Sequence, residues 1–273
     1  MNKQNIRYSF NDDWTYQGNP VTLPHDAMLG ADRNKNNPSG SAGAFFAGGI
    51  YTYEKTFECP EEWLHKNVVL QFEGVYRKTK VYVNEQEAGG CLNGYFPFFV
   101  DLKPFLKPGK NILKLTADNS EQPNSRWYSG GGIYRQVWLW VCDEDGIGPE
   151  TIRITTLSCN PPTVHIDAPE GAEIGILDHE NVIGNGNEIT LPDAKLWSDE
   201  TPYLYTCRAK KNGDIWEENF GIRRITWSAE GLSVNGKNTL LRGGCIHHDN
   251  SILGAASWKE AEWRRVRILK EAG

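Results

Sequence analysis

The chain has 273 residues, 39% hydrophobic and 11% aromatic, with ten Trp but only two Met, enough for two compact domains and part of a third. A formal charge of -6 and a pI near 5.6 exclude the basic footprint of a nucleic-acid binder or of a protein drawn to anionic membranes. No apolar stretch approaches membrane-spanning length, and residues 1–5 have no apolar core of a leader.

Residues 1 to about 45 are dense in Asn, Pro, Gly and Asp and predict irregular structure. Within them His25 and Asp26 stand side by side behind Pro24; a turn histidine bonded to its neighbours outweighs a catalytic pair there. From Gly49 the pattern changes to alternation. Residues 50–57, 68–72, 78–83, 98–102, 111–116 and 137–141 each read as a strand, with Asn84-Glu85-Gln86-Glu87 and Lys107-Pro108-Gly109-Lys110 as turns. Many short strands at regular spacing predict a β-sandwich of jelly-roll type.

One stretch interrupts that sandwich: Gln122-Pro123-Asn124-Ser125-Arg126-Trp127-Tyr128-Ser129-Gly130-Gly131-Gly132-Ile133-Tyr134-Arg135. Three glycines beside Arg126, Trp127 and Tyr128 suit a loop whose rings stack on a sugar while the arginine donates to hydroxyls. The same rings equally suit a plug at the sandwich rim, and composition does not choose between them. In Asn93-Gly94-Tyr95-Phe96-Pro97-Phe98-Phe99 most rings read as core.

A composition shift over residues 143–149 marks a boundary. Beyond it, six or seven short strands in about eighty residues fit a small immunoglobulin-like sandwich. His165 and His179 stand alone there and read as structural or exposed. A hairpin follows, with the Asn235-Gly236 turn signal. Then Thr239-Leu240-Leu241-Arg242-Gly243-Gly244-Cys245-Ile246-His247-His248-Asp249-Asn250 enters as an apolar run and ends in a polar cluster. This is how an α/β barrel strand delivers side chains at its carboxyl end. Ser257-Trp258-Lys259-Glu260 has capping-box spacing, and helical periodicity runs on to Ala272. The tail therefore predicts the first strand-helix unit of a barrel. Without the rest of the barrel, residues from about 230 are expected to be poorly ordered, or to pack on the immunoglobulin-like domain or a neighbouring chain.

The six cysteines (59, 91, 142, 159, 207 and 245) show no Cys-x-x-Cys and no metal-ligand spacing. They read as reduced, mostly buried thiols of a cytoplasmic protein, and no motif implies a metal or other cofactor.

Taken together, Leu23-Pro24-His25-Asp26, Val81-Tyr82-Val83-Asn84, Ser125-Arg126-Trp127-Tyr128-Ser129-Gly130, Gly132-Ile133-Tyr134-Arg135, Leu196-Trp197, Pro202-Tyr203-Leu204-Tyr205, Phe220-Gly221-Ile222-Arg223, Arg242-Gly243 and His247-His248-Asp249 resemble, in order, family 2 glycoside hydrolases. The chain looks like the amino-terminal part of a β-galactosidase of that family. The resemblance implies a mainly β chain: a jelly-roll sugar-binding domain over 1–143, an immunoglobulin-like sandwich over 144–224, and the start of a (β/α)8 barrel over 225–273. It implies that Arg126, Trp127, His247 and Asp249 contact a β-galactoside. Neither nucleic acid nor membrane is expected as a partner; homo-oligomerisation stays open. Glu85 departs from the pattern, standing where relatives often carry glycine.

Retaining hydrolysis in this family uses two glutamates on later barrel strands, about 5–5.5 Å apart. A full barrel takes ~250 residues, so the chain as given is expected to be inactive. Asp118, Asp249 and Glu260 read as turn, supporting or capping residues instead. A β-glucuronidase or β-mannosidase of the same architecture is the alternative enzyme; a stand-alone carbohydrate-binding protein is the alternative of another class.

Overall fold

A computed structural model describes residues 4–273, with side chains from Ile6 onward. Met1, Asn2 and Lys3, part of the start read above for a leader, lie outside the described residues. The chain divides into two units: residues 7–141 with 245–273, and the residues up to 6 with 142–244.

The first unit is a β-sandwich. One sheet has six strands, in the order Asn19–Val21, Trp14–Tyr16, Ile50–Cys59, Gly109–Asp118, Thr79–Val83, Gln86–Cys91. The other has four, Arg7–Ser9, Val137–Cys142, Asn67–Phe72, Phe98–Asp101. Alternation builds both. In Ile50–Cys59 the residues Tyr51, Tyr53, Phe57 and Cys59 turn inward while Glu54, Thr56 and Glu58 face out. Gly109–Asp118, paired along its whole length with that strand, buries Leu113, Leu115 and Ala117. These meet Val68, Leu70, Phe72, Val100, Val137 and Leu139 of the other sheet in one apolar core. The period of two seen in the sequence is thus the period of burial.

Residues 4–45 are more regular than the composition of 1–45 predicts. Arg7–Ser9, Trp14–Tyr16 and Asn19–Val21 are strands, and Trp14 is fully buried. Three residues are too few to show a period.

The second unit holds a five-stranded sheet, ordered Gln4–Asn5, Asp214–Phe220, Tyr205–Lys211, Glu173–Asp178, Asn181–Asn185, and a three-stranded one of Arg153–Cys159, Pro162–Asp167 and Glu188–Thr190. Val164, Ile166, Ile174, Ile176, Cys207 and Ala209 are buried within it. A third, small sheet contains Ile225–Ser228, Gly231–Val234 and Lys237–Asn238. Its Asn235-Gly236 turn has φ of 53° and 80°, the left-handed pair of a tight hairpin. The Asn235 amide donates to Trp197 O at 2.9 Å, and its Oδ1 accepts from Arg224 N.

The tail departs from expectation in three ways. Residues 239–247 form no strand. An isolated strand has no neighbour for its N–H and C=O groups, and an apolar run alone does not supply one. The helix Lys259–Ala272 does form, but the capping box does not. Trp258, whose indole N–H can only donate, occupies the N-cap without a side-chain bond, and Ser257 N, the donor that the box would have turned to Glu260, is spent on Tyr134 O at 2.9 Å. Starting one residue late puts Glu260 out of register, and Ser257 Oγ bonds Glu262 instead. Finally, residues 245–258 pack on one end of the first sandwich, where Ala255 is buried with Tyr76 and Tyr134. The helix itself buries no residue, and Trp263, Val266, Ile268 and Leu269 are all exposed.

Among the described residues Cys59, Cys142 and Cys207 are buried, and no cluster of metal ligands occurs. Among the described residues no helix is long and apolar enough to cross a membrane.

Candidate functional site

The site grows from one buried carboxylate. Asp26 is 3% exposed and accepts four hydrogen bonds. Its Oδ1 takes Met28 N and Gly131 N, both at 3.0 Å. Its Oδ2 takes the Tyr128 hydroxyl at 2.7 Å and Ala255 N at 2.8 Å. Three stretches far apart in sequence meet on one side chain: its own turn, the glycine loop and the downstream tail. Backbone N–H donors aimed at a carboxylate are a charge-assisted arrangement, which is what lets an anion sit where water does not reach.

Glycine is required for this approach at two positions. A Cβ at Gly130 (φ 66°) would lie 2.4 Å from Ala255 Cβ, and one at Gly254 (φ 56°) 2.3 Å from Asp26 Oδ2. The loop is fastened again by Asn119, fully buried, whose amide donates to Gly130 O at 3.1 Å. Gly132 exchanges both backbone bonds with Tyr76 at 2.9 Å.

On this base stands an aromatic group. The Trp127 indole lies nearly parallel to the His247 imidazole, centroids 4.4 Å apart and planes 16° off. Its Nε1 donates to the Tyr95 hydroxyl at 3.2 Å. The neighbouring His248 turns inward. Its Nε2 donates to Ser129 O at 3.2 Å, and Tyr95 and Tyr134 flank its ring, each at 5.5 Å. Burial lowers the His248 pKa below its ordinary 6.5, against the opposing pull of the Ser129 carbonyl, so the ring is neutral at pH 7 with its proton on Nε2. Burial, helped by the Asp26 charge, pushes the Tyr128 hydroxyl far up, and burial does the same to Tyr95. Both remain protonated donors.

Of the four residues singled out by sequence, Trp127 and His247 are brought into contact. Arg126 and Asp249 are exposed, and neither side chain makes a hydrogen bond or ion pair among the described residues. The Asp249 backbone carbonyl accepts from Arg265 at 2.7 Å. His25 does not bond its sequence neighbours: its Nδ1 lies 2.8 Å from the Tyr53 hydroxyl and its backbone N–H donates to Ile133 O. Sequence reasoning missed Asp26 as an organiser, since its four donors come from positions up to 229 residues away. It also read most rings of residues 93–99 as core, whereas Phe98 is buried, Tyr95 and Phe99 are half-buried and Phe96 is exposed.

Two family models match the chain: the sugar binding domain of glycosyl hydrolases family 2 over residues 42–142, and glycosyl hydrolases family 2 over residues 142–223. The chain belongs to glycoside hydrolase family 2. Among its family 2 relatives, a β-galactosidase of Bacteroides ovatus is 33% identical over 96% of this chain and 34% of its own length. A putative β-glucuronidase of Formosa agariphila is 30% identical over 99% of this chain and 30% of its own. The chain therefore spans about a third of the length of the curated relatives it matches. A solved family 2 member from Bacteroides cellulosilyticus superposes with a TM-score of 0.86 at 28% identity, covering 98% of this chain and 42% of that one. These matches place the chain as a family 2 amino-terminal portion, mainly β, with a sugar-binding and an immunoglobulin-like domain.

Proposed function

We propose that this chain is the sugar-framing portion of a retaining glycosidase that releases terminal β-D-galactosyl residues. In this reading the first sandwich is a jelly roll, and residues 225–273 belong to the opening of a catalytic barrel. Trp127 and His247 form one wall of the sugar pocket, with Arg126 and Asp249 reaching hydroxyl groups from beside it. The observation that carries the reading is the Trp127–His247 stack on a loop fixed by Asp26. It gives a flat ring face of the kind a pyranose C–H face packs against, with charged hydrogen-bonding groups next to it in sequence. Asp26 itself has no catalytic capacity. All four of its bonds are spent on fixed donors, whereas retaining hydrolysis needs a free nucleophile and an acid/base about 5–5.5 Å away.

Two measurements test this. The chain alone should not hydrolyse an aryl β-galactoside, and robust turnover by purified protein would overturn the assignment of its role. Methyl β-D-galactopyranoside should shift the Trp127 indole N–H resonance with a dissociation constant in the millimolar range, since few contacts offset the association cost. Absence of any shift would refute the pocket wall. The Formosa agariphila relatives favour a second reading, a β-glucuronidase. Methyl β-D-glucuronide binding more tightly than the galactoside would select it.

A further inference from the structure

The outer face of the six-stranded sheet carries a depression of about 800 Å3, within the 300–1,000 Å3 range typical of small-molecule sites. Its floor is a row across three strands, because Lys114 pairs with Glu54 on one side and Tyr82 on the other. Ile112 and Thr116 extend the floor along the same strand. The walls are two turns, at Asn84-Glu85 and around Lys107.

Those walls are braced. The Asn84 amide donates to Phe105 O at 2.9 Å and Asn111 Oδ1 at 2.8 Å, and its Oδ1 accepts from Ile112 N at 3.1 Å. Asn111, fully buried, bonds both Lys107 O (2.7 Å) and Lys107 N (3.1 Å). The shape is preformed. The turn also retains an unfavourable residue. Asn84 and Glu85 have φ of 48° and 71°, the geometry whose second position is ordinarily glycine. Glu85 holds it with a full side chain, and such local strain collects where a side chain serves a ligand.

The lining suits an uncharged, hydroxyl-rich ligand. Glu54 and Glu85 accept from hydroxyl protons, Lys107 and Lys114 donate to hydroxyl oxygens, and the two signs balance. None of these four side chains is engaged in a hydrogen bond or ion pair among the described residues. The Tyr82 ring and Ile112 offer an apolar patch for the C–H face of a pyranose. We propose that this depression is a second carbohydrate-binding site, taking a neutral oligosaccharide, separate from the Trp127 rim. The proposal goes beyond the reading of that rim and does not depend on it.

The test is amide NMR of the full chain titrated with β-1,4-linked galactotetraose, and separately with methyl β-D-galactopyranoside. The tetraose should shift the amides of Tyr82, Glu85 and Lys114; the monosaccharide should shift the Trp127 indole without them. Glu85→Gly should raise the Tm while weakening tetraose binding about tenfold, as expected for loss of a charged hydrogen-bonding partner. Tyr82→Ala should weaken it similarly, with the Trp127 response to the monosaccharide intact. Tetraose shifts confined to the rim, no shifts at all, or Glu85→Gly binding like the parent would overturn the proposal. A rim that stays silent to the monosaccharide while the sheet face responds to tetraose would refute the pocket-wall reading alone.

Discussion

Replacing Asp26 by Asn removes one charge and almost no volume, so its effect isolates the hydrogen bonds. The amide keeps one oxygen, which can still accept two donors. Its NH2 then faces either Met28 N and Gly131 N, or Ala255 N and the Tyr128 hydroxyl. The second orientation is better, because the Tyr128 hydroxyl can rotate and accept. Ala255 N–H cannot, and an orphaned buried donor costs about 1–3 kcal/mol. The two surviving bonds lose charge assistance, about 0.5–1 kcal/mol each by comparison of charged with neutral pairs. Relief of the buried charge returns part of this, leaving a net loss of about 2–3 kcal/mol. For a unit of this size, 1 kcal/mol moves the Tm by roughly 2–4 °C, so a drop of roughly 4–12 °C is expected. Hydrogen exchange locates the damage: the Ala255 amide should lose protection before the amides of Leu113 and Leu115, which lie in the core strand. A Tm within about 1 °C of the parent, with Ala255 still protected, would refute the account of Asp26 as the joint of the site.

The glycines beside it give a second check. Gly254→Ala should destabilise by more than 2 kcal/mol, roughly, because its Cβ meets a fixed carboxylate oxygen. Gly236→Ala, also at positive φ but in open space, should cost only about 1 kcal/mol, and thermal unfolding compares them directly. Stability should also fall on acidification through two half-buried imidazoles. His248 and His25 have folded pKa values lowered from 6.5, mainly by burial, so the unfolded chain takes up protons first. Their contribution is complete above 6.5 and is lost as pH falls from 6.5 through the lowered folded values. Urea midpoints at pH 7.5 and pH 5 measure it, and His248→Gln should flatten the difference. Among the thiols, the exposed Cys245 should react with a disulfide reagent in the native protein, whereas Cys207, buried and pushed up to about 12, should not. Equal labelling of both would contradict the packing of the second unit.

Much of the fold is legible in the sequence because burial follows backbone period. Strands such as Ile50–Cys59 and Gly109–Asp118 are long enough for alternation to declare itself, and the Asn235-Gly236 turn declares itself through backbone chemistry. Trp14–Tyr16 and its neighbours are too short to do either and are held by strands that come later. The tail shows the opposite failure. Residues 239–247 carry the apolar content of a strand without the partner that makes one, and the Ser257 capping signal yields to a backbone bond that Ser257 N donates to Tyr134 O. At the site, Trp127 and His247 could be singled out one by one from residue type and resemblance. Their stacking could not, since it depends on Asp26 drawing together positions more than a hundred residues apart.

That joint has a consequence for the order of synthesis. The sandwich is discontinuous: its strands are finished by residue 142, but the amide that fills the last position on Asp26 belongs to Ala255. At a translation rate of about 5–20 residues per second, the roughly 120 residues between Gly131 and Ala255 take on the order of 6–25 s to appear. During that interval the nascent sandwich carries its glycine loop with one acceptor position on Asp26 still open to water. The end of the sandwich that carries the glycine loop is therefore the last part of the domain to set, closed by a segment made only after every residue of the second unit.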